Sequence, residues 1–360
     1  MRGIYHTAPR MVHAMTVRIG IGLFTGQLPS DSSQTYAEAY RDTLELVRLA
    51  EALGFDSAWV SEHHGASDGY FPSLLVMLAA FAAATNHIRL GTGVILTPFH
   101  DPLRLAEDVA TVDQLSDGRL TVGLGLGWRE EEFRMFGIPI TERLARTKET
   151  VEVLRAAAGG RRFSHHGSIF NFDDVLVTPP TAQAGGPPIV LGGYTDAALR
   201  RAGFLGDGHI TDADDPEHIR KALTLMDEGA AEAGRDPSRL HLVLFLNAWV
   251  TDAGTDWWAQ VRDGVVHQLG MYEAWYADHD TPSHDSAEPT VADEAAAKAA
   301  TVGGSADEVI QRLRPLVEEF GHRANLDLVV RLHYPGMAFD TAARATELFG
   351  EKVIPALKGN

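Results

Sequence analysis

The chain has 360 residues, 45% hydrophobic and 22% charged, with 31 basic against 49 acidic side chains and a net charge of −18. That much apolar material suits one large α/β barrel, and the negative balance argues against nucleic acid or an anionic membrane as a partner. Cysteine is absent, which removes disulfides, thiolate metal sites and a cysteine nucleophile and fits a cytoplasmic enzyme.

The first residues, "MRGIYHTAPRMVHA", lack the apolar core of a signal peptide. Residues 1–15 are read as a loosely ordered tail, with Met15 an alternative start. "VRIGIGLF" (Val17 to Phe24) reads as strand one, and the amphipathic segment after it stops at Gly54. "FDSAWV" is strand two. Pro72 opens "LLVMLAAFAAA" (Leu74 to Ala84), too short for a membrane span and read as a fully buried helix. "IRLGTGVIL" (Ile88 to Leu96) is strand three. Asp101 caps the next helix, Pro102 starts it and Gly118 stops it. "RLTVGLGLGW" is strand four, followed by a helix over residues 142 to 158. "PPIVLGG", "DGHIT", "LHLVLFLNAWV" and "LDLVVRLHY" are strands five to eight, with helices at Asp196 to Leu205, near 216 to 234 and from about 340.

Eight such units without a change of pattern point to a closed (β/α)8 TIM barrel, with an open doubly wound sheet as the alternative. One barrel domain is expected over residues 16–360. Two stretches break the rhythm. Residues 159 to 187 look like a small hairpin after strand four, and 270 to 304 like a lid-like insertion after strand seven.

Sites in such barrels lie at the C-terminal ends of the strands. Strand two ends in "SEHH", so Glu62, His63 and His64 fall on that rim. Alternation sends His63 one way and Glu62 with His64 the other. Imidazole suits proton transfer near neutral pH, and His63 and His64 are therefore the candidate catalytic residues, against a purely structural role on the rim. His333 in "RLHYPG" falls on the same rim, to contact a substrate or to cap its strand. Glu62, a histidine and His100 or Asp101 could ligate zinc or iron, but no His-x-His or His-Glu-x-x-His pair is present and no metal is assigned.

"VGLGLGW" fails as a dinucleotide loop, because Trp128 stands where the third glycine belongs. Gly123, Gly125 and Gly127 instead leave one face of a strand bare, which suits either a flat ring or a bulky neighbour. "GTGV" (Gly91 to Val94) has the same character. In "IVLGGYTDAALRRA" a strand ends in Gly192 and Gly193, and after Tyr194, Thr195 caps a helix. Free amides at such a start make an anion site, against an ordinary βα turn. The His165–His166 pair is read as surface. Trp257, Trp258, Trp275 and Tyr276 near the insertion suggest a mouth for a hydrophobic small molecule.

Together, "SEHH", "IRLGTGVIL", "DPLRLAEDVATVDQLSDGR", "GLGWREEEFRMFG", "IVLGGYTDAALRRA" and "RLHYPGM", in that order, resemble the bacterial luciferase-like flavin-dependent oxidoreductases. The resemblance implies a (β/α)8 barrel, often dimeric, with FMN or deazaflavin F-420 across the mouth. It implies a cis peptide between Gly93 and Val94, phosphate at Gly192 to Thr195, and His63 as the proton-handling residue. Members that use FMN often carry a phosphate-pairing arginine in the strand-four loop. Leu126 stands there, with Arg129 nearby. The cofactor-binding set expected is thus Gly93, Val94, Gly125, Leu126, Gly192, Gly193, Tyr194 and Thr195. The expected activity is a monooxygenase using reduced FMN and O2 on a small hydrophobic substrate, as a homodimer and with a separate flavin reductase as a possible supplier. The alternatives are F-420-dependent hydride transfer, a non-catalytic flavin-binding homologue and a metal-dependent barrel hydrolase.

Overall fold

Period-two apolar runs alternate with capped amphipathic stretches, and the chain folds accordingly as strand–helix units. The computed structural model describes residues 17–278, 293–321 and 325–359. The tail expected at 1–15 and part of the insertion expected at 270–304 lie outside the described residues. The strands are β1 (Val17–Phe24), β2 (Ser57–Val60), β3 (Arg89–Thr92), β4 (Ile95–Leu96), β5 (Leu120–Gly125), β6 (Phe163–His166), β7 (Asn171–Val175), β8 (Ile189–Gly192), β9 (Gly208–Thr211), β10 (His241–Thr251), β11 (Val302–Ser305) and β12 (Leu326–Arg331). The α-helices are α1 (Tyr36–Ala52), α2 (Leu74–Ala84), α3 (Pro102–Leu115), α4 (Glu130–Phe136), α5 (Arg143–Ala157), α6 (Asp196–Phe204), α7 (Pro216–Glu232), α8 (Trp257–Asp278), α9 (Glu294–Ala299), α10 (Ala306–Phe320), α11 (Phe339–Leu348) and α12 (Ile354–Lys358).

Parallel pairing runs β1–β2–β3–β5–β8–β9–β10–β12 and returns from β12 to β1, closing eight strands into a (β/α)8 barrel. The insertions fall where expected. β6 and β7 form an antiparallel hairpin before β8, and α8, α9 and β11 follow β10. β11 pairs with the far end of β10, outside the barrel, at Ala248 to Thr251.

Local chemistry accounts for the helix ends. Thr35 and Glu38 make a capping box on α1, and Asp101 accepts from the amides of Leu103 and Arg104 at the start of α3. Gly54 and Gly118 take positive φ at the stops, as their positions predict. Three expectations need correction. Strand three is two pieces, β3 and β4, separated at Gly93–Val94. "REEEFRMFG" is a helix, α4, whose three first-turn glutamates suit a helix N-terminus and whose Gly137 is a left-handed cap. And α2 is not fully buried: it is an outer-layer helix, and Val76 on its outward side is 70% exposed.

Inside the barrel, alternation produces layers. Trp59, Val190, Ile210, Val243 and Val329 form the middle layer, with Leu23, Val94 and Phe245 above them towards the C-terminal mouth. At the opposite end Arg18 donates to both oxygens of Asp327 at 2.9 and 2.6 Å.

Buried histidines make this barrel acid-sensitive. His209 donates from Nδ1 to the Leu191 carbonyl (2.8 Å), and burial lowers its pKa from 6.5 to about 4. Burial, then the charge of Arg18, lowers His241 to about 4. Between pH 6.5 and 4 the unfolded chain therefore binds more protons than the folded one. Stability is fully present above pH 6.5 and falls as pH drops through that window. For His209 the difference is on the order of 3 kcal/mol. Thermal unfolding at pH 5 is expected well below that at pH 7.5, and His209→Asn should flatten the dependence. An equal melting temperature at both pH values would refute the assignment.

Candidate active site

The chain leaves β2 at Val60, and the next residues form the rim. Alternation places Glu62 and His64 together and His63 apart, as the sequence predicts. Glu62 is 2% exposed, and its Oε1 accepts from His64 Nε2 (2.9 Å), the Leu96 amide (3.2 Å) and His100 Nε2 (3.4 Å). Burial opposes the charge, but the bonds from His100 and His64 outweigh it and hold the carboxyl below its ordinary pKa. Both imidazoles turn an N–H to this carboxylate, so their lone pairs do not converge. Among the described residues no group of three His, Cys, Asp or Glu side chains could hold a metal ion.

His63 lies on the other side, 5% exposed. Its Nδ1 is 2.9 Å from Oε1 of Glu132, a buried carboxylate on α4 that also accepts from the His64 amide at 2.9 Å. An oxygen already accepting from an amide fixes the imidazole as donor through Nδ1. That leaves the Nε2 lone pair without a hydrogen-bond partner among the described residues. Four aromatic rings enclose it: Trp275 (4.8 Å), Tyr70 (4.9 Å), Tyr272 (5.5 Å) and Trp128 (6.3 Å between centroids). Tyr272 and Trp275 come from α8, so the helix following strand seven covers His63. Its anchor is His267, which meets Asp68 at 2.9 Å.

The other expected residues divide. The Gly93–Val94 peptide is cis, as the resemblance implies; Gly22–Leu23 is also cis, which the sequence did not signal. A Cβ at Gly93 would lie 2.6 Å from Leu23 and 2.7 Å from Phe245, so the interior packs tightly there. The bare face of strand four is filled: Val94 Cγ2 would sit 2.5 Å from a Cβ at Gly125. Val94 and Leu126, both half-buried, therefore present the surface that a ring would meet, rather than a glycine face. At the end of β8, Gly192 is open: an added Cβ would come no nearer than 3.7 Å to any atom. Gly193 has φ +137°, and Thr195 caps α6 by accepting from Ala198 N at 3.2 Å. Tyr194 is exposed and donates to Asp212 at 2.6 Å.

Arg129 does not replace the missing arginine. Its guanidinium donates to the His64 carbonyl (3.0 Å) and to Glu131 (2.7 Å) and lies 4.1 Å over Trp275. Trp275 and Tyr276 reach the site, Tyr276 stacking on Trp128 at 4.3 Å. Trp257 and Trp258 do not, because the first turn of α8 packs against Gly303 and Glu294 instead. Of the pair in the hairpin, His166 is exposed, while His165 is half-buried near Glu149 (3.6 Å). His333 sits beyond β12, lowered to about 4 by burial and then by Arg331. Glu132, Tyr70, Tyr272 and Arg331 were not singled out from sequence.

The closed (β/α)8 barrel carries an imidazole–carboxylate pair under an aromatic cover at its C-terminal rim. A family model described as luciferase-like monooxygenase matches residues 17–323, and the chain belongs to that family. It is 28% identical over 351 residues to 4-hydroxyprotoasukamycin monooxygenase of Streptomyces nodosus subsp. asukaensis, covering 95% of this chain and 93% of that protein. It is 26% identical over 352 residues to the oxygenase component of the flavin-dependent trigonelline monooxygenase of Acinetobacter baylyi, covering 93% and 94%. The crystal structure of monooxygenase RslO1 from Streptomyces bottropensis superposes with a TM-score of 0.78 at 27% identity, covering 94% of this chain and 99% of that one.

Proposed function

We propose that the chain is the oxygenase of a two-protein system, taking reduced FMN from a separate flavin reductase and using O2 to oxygenate a small hydrophobic substrate. The observation that carries this reading is the state of His63: buried, oriented by Glu132 through Nδ1, enclosed by aromatic rings, and with no partner for Nε2 among the described residues. Reduced FMN, when bound, supplies the electrons that activate oxygen. His63 Nε2 is then the atom that accepts or returns a proton, while the α8 aromatics exclude water.

The residues fit a flat cofactor with an anionic tail. Gly192 leaves the floor open at the end of β8, and Gly193, Tyr194, Thr195 and the start of α6 would hold the phosphate. Val94 and Leu126 would underlie the ring. Two full-length relatives named as monooxygenases, one an oxygenase component, support the oxygen chemistry and the reductase partner. The apolar outward side of α2, with Val76 and Ala83 exposed, supports a homodimer.

One observation favours F-420 instead. Leu126 occupies the arginine position and Arg129 is engaged elsewhere, so no strand-four guanidinium meets a phosphate. Titration of the purified protein with FMN and with F-420, each oxidised and reduced, decides between them. Tight binding of reduced FMN with oxygen-dependent reoxidation is the expected result. Binding of F-420 alone would replace the monooxygenase reading with hydride transfer.

A further inference from the structure

Arg331 ends β12 in a place where a guanidinium is costly. It is 6% exposed, and it stands two residues beyond Val329 of the barrel interior, so it faces the mouth. Its Nη1 is buried with no hydrogen-bond partner, and among the described residues no carboxylate pairs with it. The chain pairs its comparable arginines. Arg129, 5% exposed, meets two glutamates and a carbonyl, and Arg18 meets Asp327 at the opposite end of the barrel. A buried, unpaired charge destabilises the fold, and such groups mark positions that a ligand completes. The neighbours are also polar. Tyr70, buried, and Tyr272, half-buried, have their phenol oxygens 3.2 Å apart, and the charge of Arg331 acts on both. The charge of Asp212 reaches Tyr272 as well, but its own hydrogen bond goes from Tyr194.

We propose that Arg331, with the hydroxyls of Tyr70 and Tyr272, forms an oxyanion-binding subsite, and that the substrate carries an ionised or strongly polarised oxygen (phenolate, enolate or carboxylate) on an otherwise apolar body. This rests on the mouth being the reaction site. It places the charged oxygen beside His63, whose ring is flanked by both tyrosines. The apolar body would lie over Leu23 and Phe245. The pyrimidine oxygen of a reduced flavin shares the same chemistry, and the test separates the two sources.

The probes are 4-nitrophenol, ionisable near neutral pH, and nitrobenzene, its neutral counterpart. Binding of each is followed by tryptophan quenching in the wild type, Arg331→Lys and Arg331→Met, with FMN affinity and melting temperature measured in parallel. The wild type is expected to prefer nitrophenol by roughly 10-fold or more, Arg331→Lys to keep part of that preference and Arg331→Met to lose it. FMN affinity should stay within about 3-fold, and Arg331→Met should melt no lower than the wild type, because it removes an unpaired buried charge. Absence of the preference in the wild type, or its survival in Arg331→Met, overturns the subsite. So does a lower melting temperature, which makes Arg331 structural. A fall in FMN affinity with the preference intact assigns the oxyanion to the flavin and overturns the substrate class. Failure of the wild type to bind any flavin overturns the functional reading, whereas a missing preference with intact flavin binding overturns only the subsite.

Discussion

Replacing His63 with alanine is expected to cut turnover by roughly 10²- to 10⁴-fold while leaving cofactor affinity nearly unchanged. Its Nδ1 is committed to Glu132 and its Nε2 faces an aromatic enclosure, so the ring carries no ladder or cap that the fold needs. Glu132→Gln should retain more activity than Glu132→Ala, because an amide oxygen can still accept from Nδ1–H and hold the ring. Single-turnover kinetics with reduced cofactor separate these effects from binding. Full turnover in His63→Ala would end the catalytic assignment without touching the fold.

Gly123→Ala should cost about 3 kcal/mol or more of stability. Gly123 lies where β3 stops and β4 has not begun. There the Thr92 hydroxyl stands in for the ladder, accepting from the Gly123 amide (2.7 Å) and donating to its carbonyl (2.9 Å). An added methyl would overlap the Thr92 carbonyl oxygen, a backbone atom that cannot swing aside. The strands would have to part under the rim. Gly192→Ala is the control, since its methyl meets only ordinary contacts at 3.7 Å or beyond. It should melt like the wild type and, in the proposed function, weaken phosphate binding. Equal denaturation midpoints for Gly123→Ala and wild type would refute the packing argument.

Strand parity made the central part of the site legible. Glu62, His63 and His64 sit where period-two alternation from Trp59 sends them, and Gly54, Asp101, Gly118 and Thr195 bound their helices as their chemistry requires. What sequence reading lost was long-range. Glu132 reaches His63 across 69 positions and Tyr272 reaches Tyr70 across 202, and no local period encodes either meeting. Some signals were there to be used. Three acidic residues followed by a left-handed glycine announce α4. In "LDLVVR", the parity that puts Val329 inside also puts Arg331 inside, at the C-terminal end of its strand. The strand-four glycines left a flat ring and a bulky neighbour as open readings, because a bare face and a face filled by Val94 look identical in one dimension; at Gly125 the neighbour is Val94.

β10 is eleven residues long, and its two halves have different partners. From His241 to Asn247 it closes the barrel against β9 and β12; from Ala248 onwards it pairs with β11. α9, just before β11, is tied back to α8 through Glu294, which accepts from Trp258 and Arg262. Cover helix, tie and outer strand thus form one cooperative unit whose release breaks none of the eight barrel ladders. Its opening free energy lies below that of global unfolding. The roof over His63 can therefore exchange with solvent as a sub-global event while the barrel beneath it stays folded.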